Sequence, residues 1–266
     1  MSDDRDCQTF WDETADEYQD ITRISVKDFH YGPLLPGDKK IGALPQNLKN
    51  LKCLEIGAGA GQNSIYLASQ GALCTVTDIS GEQLCHGEQI AKDLGLELKF
   101  ERAGLDDISE ERFGKYDFIH TTWAMPFATD QAAVIRNCAE MLNPGGTLHI
   151  TTGHPIFCGE WIELDDYEAG MFVTNYFEPP REVRFTKDEE NFIRTQQFPI
   201  STYVNWILGS GLKLERMLEL APVELETLSE KELQEATPYD SEVWRDMYEQ
   251  IKKVPFVVTY IARKEA

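Results

Sequence analysis

The stretch Leu51-Lys52-Cys53-Leu54-Glu55-Ile56-Gly57-Ala58-Gly59-Ala60-Gly61 runs from apolar residues into three alternate glycines, then into Gln62-Asn63-Ser64-Ile65-Tyr66-Leu67-Ala68. It predicts a strand, a tight turn and a helix. Alternate glycines allow positive backbone angles and let a ligand rest on bare backbone, while the helix that follows offers unpaired N–H groups and a positive dipole end. A polar ligand is expected there.

The spacing narrows the ligand. The glycines fall as G-x-G-x-G behind an acid, whereas the dinucleotide fingerprint is G-x-G-x-x-G. Cys74-Thr75-Val76-Thr77-Asp78 reads as a second strand ending on an acid, and a carboxylate about 20 residues beyond a glycine turn is placed to accept both hydroxyls of a ribose. A nucleoside is therefore expected.

Composition sets the class. With 266 residues, 42% hydrophobic and 11% aromatic, the chain is globular in make-up and long enough for one domain carrying an insertion. No apolar run approaches the ~20 residues of a bilayer span, and the acidic Met1 to Asp6 lacks the apolar core of a secretory signal, so a cytoplasmic location is expected. Cys7, Cys53, Cys74, Cys85, Cys138 and Cys158 form no C-x-x-C pair and are expected as free thiols. A net charge of −21, from 46 acids against 25 bases, argues against a nucleic-acid substrate, because phosphate binding needs a basic surface. A small-molecule partner is expected instead.

Glu55-Ile56-Gly57-Ala58-Gly59-Ala60-Gly61 together with Asp78 resembles motif I and the acidic second-strand end of class I S-adenosylmethionine-dependent methyltransferases, in particular bacterial small-molecule ones. The resemblance implies that Gly57, Gly59 and Gly61 face the methionine part of S-adenosyl-L-methionine, that Glu55 sits near its amino group and that Asp78 holds the ribose. Phe10, Trp11, Ala15 and Tyr18 fall at helical spacing over residues 8–20. This helix resembles the W-D-x-x-A-x-x-Y lead-in of the same enzymes, in which the Tyr reaches the methionine end; simple packing is the alternative for Tyr18. Asp28 to Gly37 is rich in Pro and Gly and predicts a loop. Its His30-Tyr31-Gly32-Pro33 resembles an active-site lid, with Tyr31 toward the acceptor.

Ser80-Gly81-Glu82-Gln83 predicts a capped helix start, and Leu98 to Arg102 a third strand. Where the family commonly has an acid for the adenine amino group, this chain has Gly104, which leaves that role to backbone around Gly104 and Leu105 or to Asp106. Ile79 and Leu105 are expected on either side of the ring. Tyr116-Asp117-Phe118-Ile119-His120 resembles the fourth strand, whose exit, Thr121 to Met125, should line the reaction site: Thr121 toward the cofactor, Trp123 and Met125 toward the acceptor. The N-P-P-Y motif of base and glutamine N-methyltransferases is absent. Residues 130–142 predict a helix, and Asn143-Pro144-Gly145-Gly146 a turn before a fifth strand over Thr147 to Thr152.

From Gly153 to about Gln197 the pattern dissolves, with Trp161, Tyr167, Phe172, Tyr176 and Phe177 irregularly spaced. A cap over the acceptor pocket is expected, an interface in a homodimer being the alternative; no His/Cys spacing suggests a metal. Ile200 to Gly209 predicts a helix, Leu212 to Leu218 and Val254 to Ala262 strands, and residues 222–253 receive no role. The resemblance implies a doubly wound, Rossmann-like α/β fold with a seven-stranded sheet in the order 3-2-1-4-5-7-6, the last strand antiparallel, and a cap after strand five. The expected division is 1–45 N-terminal helix and lid, 46–153 cofactor-binding core, 154–199 cap, and 200–266 completing the sheet.

The expected function is transfer of the S-adenosyl-L-methionine methyl group to oxygen or nitrogen of a small molecule by in-line displacement. A nicotinamide-dependent oxidoreductase and a non-catalytic cofactor-binding regulator are the rivals. Catalysis should rest mainly on positioning. A hydroxyl acceptor must also lose a proton, for which His154 is the first candidate and His30 the second, with Asp28 or Glu160 behind them.

Overall fold

The structure, a computed structural model, describes residues 4–165, 168–187, 190–229, 231, 239 and 241–266. Tyr167 lies outside the described residues, as does part of 222–253. Seven strands form the main sheet: β1 (Lys52–Ile56), β2 (Leu73–Asp78), β3 (Lys99–Arg102), β4 (Tyr116–Thr122), β5 (Leu142–Gly153), β10 (Leu212–Leu218) and β11 (Val257–Lys264). Their order is β3-β2-β1-β4-β5-β11-β10. β1 pairs in parallel with β2 and β4, β5 in parallel with β4, and β11 runs antiparallel to both β5 and β10. This is the expected 3-2-1-4-5-7-6 sheet.

Both faces are covered, which is why β1 is buried from Cys53 to Ile56. Strand alternation divides its residues between two core layers. Leu54, Ile119 and Val258 pack with helices α6 (Gln131–Met141) and α7 (Ile200–Gly209), while Cys53, Phe118 and Val257 pack with α3 (Gln62–Ser69) and the 29–35 segment. The N-terminal helix α1 (Asp4–Thr22) runs over the carboxyl end of the sheet and packs on α4 (Gly81–Asp93) and on β9 (Phe192–Arg194). Residues 154–199 include two hairpins, β6 (Glu160–Asp165) with β7 (Glu168–Phe172) and β8 (Val183–Phe185) with β9.

Three local readings are corrected. The last strand begins at Val257 rather than Val254, because Pro255 has no N–H to give a ladder. β5 takes in the Asn143 to Gly146 turn, with a register break against β4 between Tyr116 and Phe118. The 28–37 loop is not a surface flap: Phe29, Tyr31, Leu34 and Leu35 are fully buried in the second core layer. Its backbone polar groups are satisfied partly from within and partly by its neighbours: Asp28 accepts the N–H of Phe29 at 2.8 Å, Asn63 that of His30 at 2.7 Å and the Tyr239 carbonyl that of Leu34 at 3.3 Å.

Candidate active site

The glycine turn is built as its sequence requires. Gly57, Gly59 and Gly61 take φ of +61°, +58° and +69°, values that side chains with a Cβ rarely adopt. A Cβ on Gly57 would stand 2.3 Å from that of Ala124, so the first glycine lets the β1 and β4 exits meet. Gly61 does a different job from the expected one. It does not line the cavity; a Cβ there would stand 2.7 Å from Val76, so it lets α3 close onto β2.

Two carboxylates flank the turn. Glu55 is 3% exposed, accepts the Ser64 N–H at 2.9 Å, and keeps its other oxygen 3.9 Å from Nδ1 of His120. Burial with no cation beside it pushes its carboxyl up to about 7. Asp78 accepts N–H groups of Gly59 at 2.7 Å and Ser80 at 2.9 Å, and burial raises it to about 6. Ser80 in turn caps α4 by accepting the Gln83 N–H.

One continuous cavity of about 410 Å³ opens over these groups. Glu55, Gly57, Gly59 and Asp78 form one end, with Ile79, Gly104 and Leu105 beside them. The Gly104 N–H is engaged by the Asp107 carboxylate at 3.2 Å, and Asp106 accepts the N–H groups of Thr129 and Asp130. Tyr18 reaches the cavity from α1, its hydroxyl 2.8 Å from that of Tyr239. Gln19 and Gln62 are joined by a hydrogen bond, and Gln19 also donates to Gln83, tying α1 across α3 and α4. Gln83 Nε2 is buried there without a partner among the described residues, a donor suited to a polar ligand.

The other end is aromatic. Trp123 lies 4.8 Å from Phe256, which lies 4.7 Å from Phe157 and 6.3 Å from Trp244. His30 joins the two ends: its backbone is bonded both ways to Asn63 at the start of α3, and its ring meets Tyr239 edge-on. Burial lowers its pKa to about 3, and Nδ1 has no partner among the described residues.

Three of the expected acceptor and cofactor residues lie elsewhere. Tyr31 is fully buried, its hydroxyl bonded to Asp38, and it supports Trp123 from behind by accepting the indole N–H at 3.3 Å. Met125 is fully buried in the first core layer. Thr121 is buried, and alternation along β4 turns it away from Thr122, which does line the cavity.

His154 lines the cavity but both its ring nitrogens are committed. Nδ1 accepts the Ile156 N–H at 3.2 Å, so Nε2 carries the proton and donates to Glu219 at 2.9 Å. Burial lowers its pKa, opposed by Glu219. In this arrangement His154 has no free lone pair for an acceptor's proton, whereas His30 does. Asp28 is held by backbone N–H groups outside the cavity, and Glu160 is exposed on β6.

Sequence reasoning missed Tyr239, Trp244 and Phe256, which come from the stretch given no role and from the entry to β11. No spacing links them to the glycine turn; only their aromatic character was visible. Among the described residues, no group of three or more His, Cys, Asp or Glu is placed to hold a metal, and no helix is long and apolar enough to cross a membrane.

Residues 53–146 match the family model described as methyltransferase domain. Among curated relatives, a ubiquinone biosynthesis O-methyltransferase of Cronobacter sakazakii is 25% identical over 142 residues, covering 53% of this chain and 55% of the relative. The chain thus spans about half the length of the curated relatives it matches. Among solved structures, an S-adenosylmethionine-dependent methyltransferase from Mesorhizobium loti is 21% identical with a TM-score of 0.64, covering 84% of this chain and 94% of the other. The CcbJ methyltransferase from Streptomyces caelestis, at 16% identity and a TM-score of 0.60, matches over 100% of both chains. At these identities the structures speak for the fold, and it is the one built above. Residues 53–146 are thus the part of the chain that is similar to a methyltransferase domain.

Proposed function

We propose that the protein methylates a small molecule with S-adenosyl-L-methionine as donor. The observation that carries this is the single cavity running from the glycine turn and its two carboxylates to an aromatic chamber, with His30 between. When bound, S-adenosyl-L-methionine supplies an electrophilic methyl on a cationic sulfur, the S–C bond breaking as the acceptor oxygen or nitrogen forms the new bond and gives up its proton.

The chain's own residues fit that donor. Asp78 keeps lone pairs for a ribose, Glu55 offers a buried carboxyl to an ammonium group, and Ile79 and Leu105 present apolar side chains where a purine ring would lie. The backbone at Gly57 and Gly59 is bare. Trp11 and Tyr18 of α1, with the 154–199 segment, exclude water from the reacting end, which strengthens every electrostatic contact inside. We assign residues 154–199 the part of a cap, supported by Phe157, Arg184 and Gln197 in the cavity wall. His30 is the better proton acceptor because its Nδ1 is unpaired. The acidic surface speaks against nucleic acid as acceptor, and the relatives named O-methyltransferases favour oxygen.

Calorimetry with S-adenosylhomocysteine, followed by mass spectrometry of a metabolite extract incubated with the protein and S-adenosylmethionine, tests this reading. Binding and the gain of one methyl group by a metabolite are expected. Binding without transfer would favour a regulator, and binding of a nicotinamide dinucleotide instead would favour an oxidoreductase.

A further inference from the structure

At the exit of β4 the chain turns on Trp123, whose φ of +68° lies in the left-handed region. For a bulky residue that conformation is strained, and it persists only where the surroundings enforce it. Here they do. The Trp123 N–H donates to the Thr151 carbonyl at 2.8 Å and the indole N–H to the Tyr31 carbonyl at 3.3 Å. Gly32 leaves the room: a Cβ there would stand 2.9 Å from the indole nitrogen. The polar edge of the indole is therefore spent on the wall behind it, and the ring is left as an apolar surface beside Phe256 and Phe157.

Against these apolar walls stand polar atoms with no partner among the described residues. Nδ1 of His30, Oε1 of Gln197 and Nε1 of Trp244 are all buried and unpaired, on side chains that line this end of the cavity. Native proteins leave few such atoms, and each costs desolvation unless a ligand completes it. Two of the three can accept a hydrogen bond and one must donate. A hydroxyl serves both kinds, giving its hydrogen to Gln197 or His30 and taking one from Trp244. Among the described residues an ammonium group finds no free anion at this end, since Glu182 on the rim is paired with Arg184 at 2.9 and 3.1 Å.

Taking the methyl-transfer reading as its basis, we infer that the acceptor is a planar aromatic molecule carrying the methyl-accepting hydroxyl on its ring, laid against Trp123 and Phe256 and read at its polar edge by His30, Gln197 and Trp244. The strained residue is then a platform, and aromatic contact on it adds to burial.

The test uses catechol and 1-naphthol against trans-1,2-cyclohexanediol and benzylamine. Each is supplied with S-adenosylmethionine for product analysis, and each is titrated separately into protein saturated with S-adenosylhomocysteine while tryptophan fluorescence is followed. Methyl ethers and quenching with the phenols, and neither with the diol or amine, are expected. Trp123→Asn, whose side chain tolerates the left-handed backbone, should raise the phenol KM ~10-fold or more, the loss of a stacked aromatic contact, with S-adenosylhomocysteine affinity unchanged. Gln197→Leu should do the same and serves if the first variant fails to fold. Equal transfer to the diol, transfer to the amine alone, or no transfer and no quenching by any phenol while S-adenosylhomocysteine still binds would overturn the aromatic acceptor and leave the cofactor reading standing. Failure to bind S-adenosylhomocysteine at all would remove both.

Discussion

The Asp78 Oδ2 accepts the Gly59 N–H at 2.7 Å, so the carboxylate that ends β2 also fixes the glycine turn that ends β1. Asp78→Ala therefore removes the acceptor expected for the ribose and a tether of the turn together. We expect S-adenosylhomocysteine binding to weaken by about 1.5–3 kcal/mol, the usual scale for hydrogen bonds to a charged group. Calorimetry checks it, and unchanged affinity would take Asp78 out of the site.

Glu55 sets binding against stability. Its carboxyl titrates near 7 in the folded chain, above the ordinary value, so the folded state holds a proton that the unfolded chain has already lost between about pH 4.5 and 7. Above that window the folded protein carries a buried, unpaired carboxylate. Glu55→Gln should raise the melting temperature at pH 8 and change little near pH 4, while cutting affinity for S-adenosylmethionine at pH 8 by about tenfold or more, the loss of a charged partner. A variant no more stable than wild type at pH 8 contradicts the assignment.

The two histidines should separate in kinetics. His30→Gln is expected to lower turnover by about 100-fold, the scale of lost general-base help. His154→Gln should act mainly through the Glu219 pair and the 155–158 turn, lowering the melting temperature more than the turnover. Because burial holds His30 near 3, it is neutral throughout the neutral range, and the acid limb of kcat/KM should fall near pH 6–7 from Asp78 and Glu55. An equal loss of turnover in both variants would refute the division of labour.

His149, 2% exposed and edge-on to Phe118, is held near 3, chiefly by burial. A depressed histidine contributes stability that is fully present above its unfolded value near 6.5 and is lost as pH falls toward its folded value, at about 1.4 kcal/mol per pH unit. His149→Phe should melt with a shallower dependence on pH between about 6.5 and 4. Parallel curves for variant and wild type would show that His149 titrates normally.

The sequence by itself determined the scaffold. Glu55, the three glycines, Asp78 and the Pro144-Gly145-Gly146 turn specify local backbone geometry, and a strand, a left-handed turn and a helix start are legible wherever the residues that require them are contiguous. Ser80 with Gln83 foretold the start of α4 for the same reason, and Ile200 to Gly209 the whole of α7. What only the tertiary structure decided is which side chains reach the cavity. Strand alternation and loop burial turned Thr121, Met125 and Tyr31 into the core, and close packing on Val76 made Gly61 a packing glycine. Hydrogen bonds to Ile156 and Glu219 took both nitrogens of His154, leaving His30 free. The aromatic chamber is assembled from Trp123, Phe157, Trp244 and Phe256, which are spread over more than a hundred residues of the chain. No local pattern encodes their meeting, because it follows from where the antiparallel β11 and the segments before it return to the sheet.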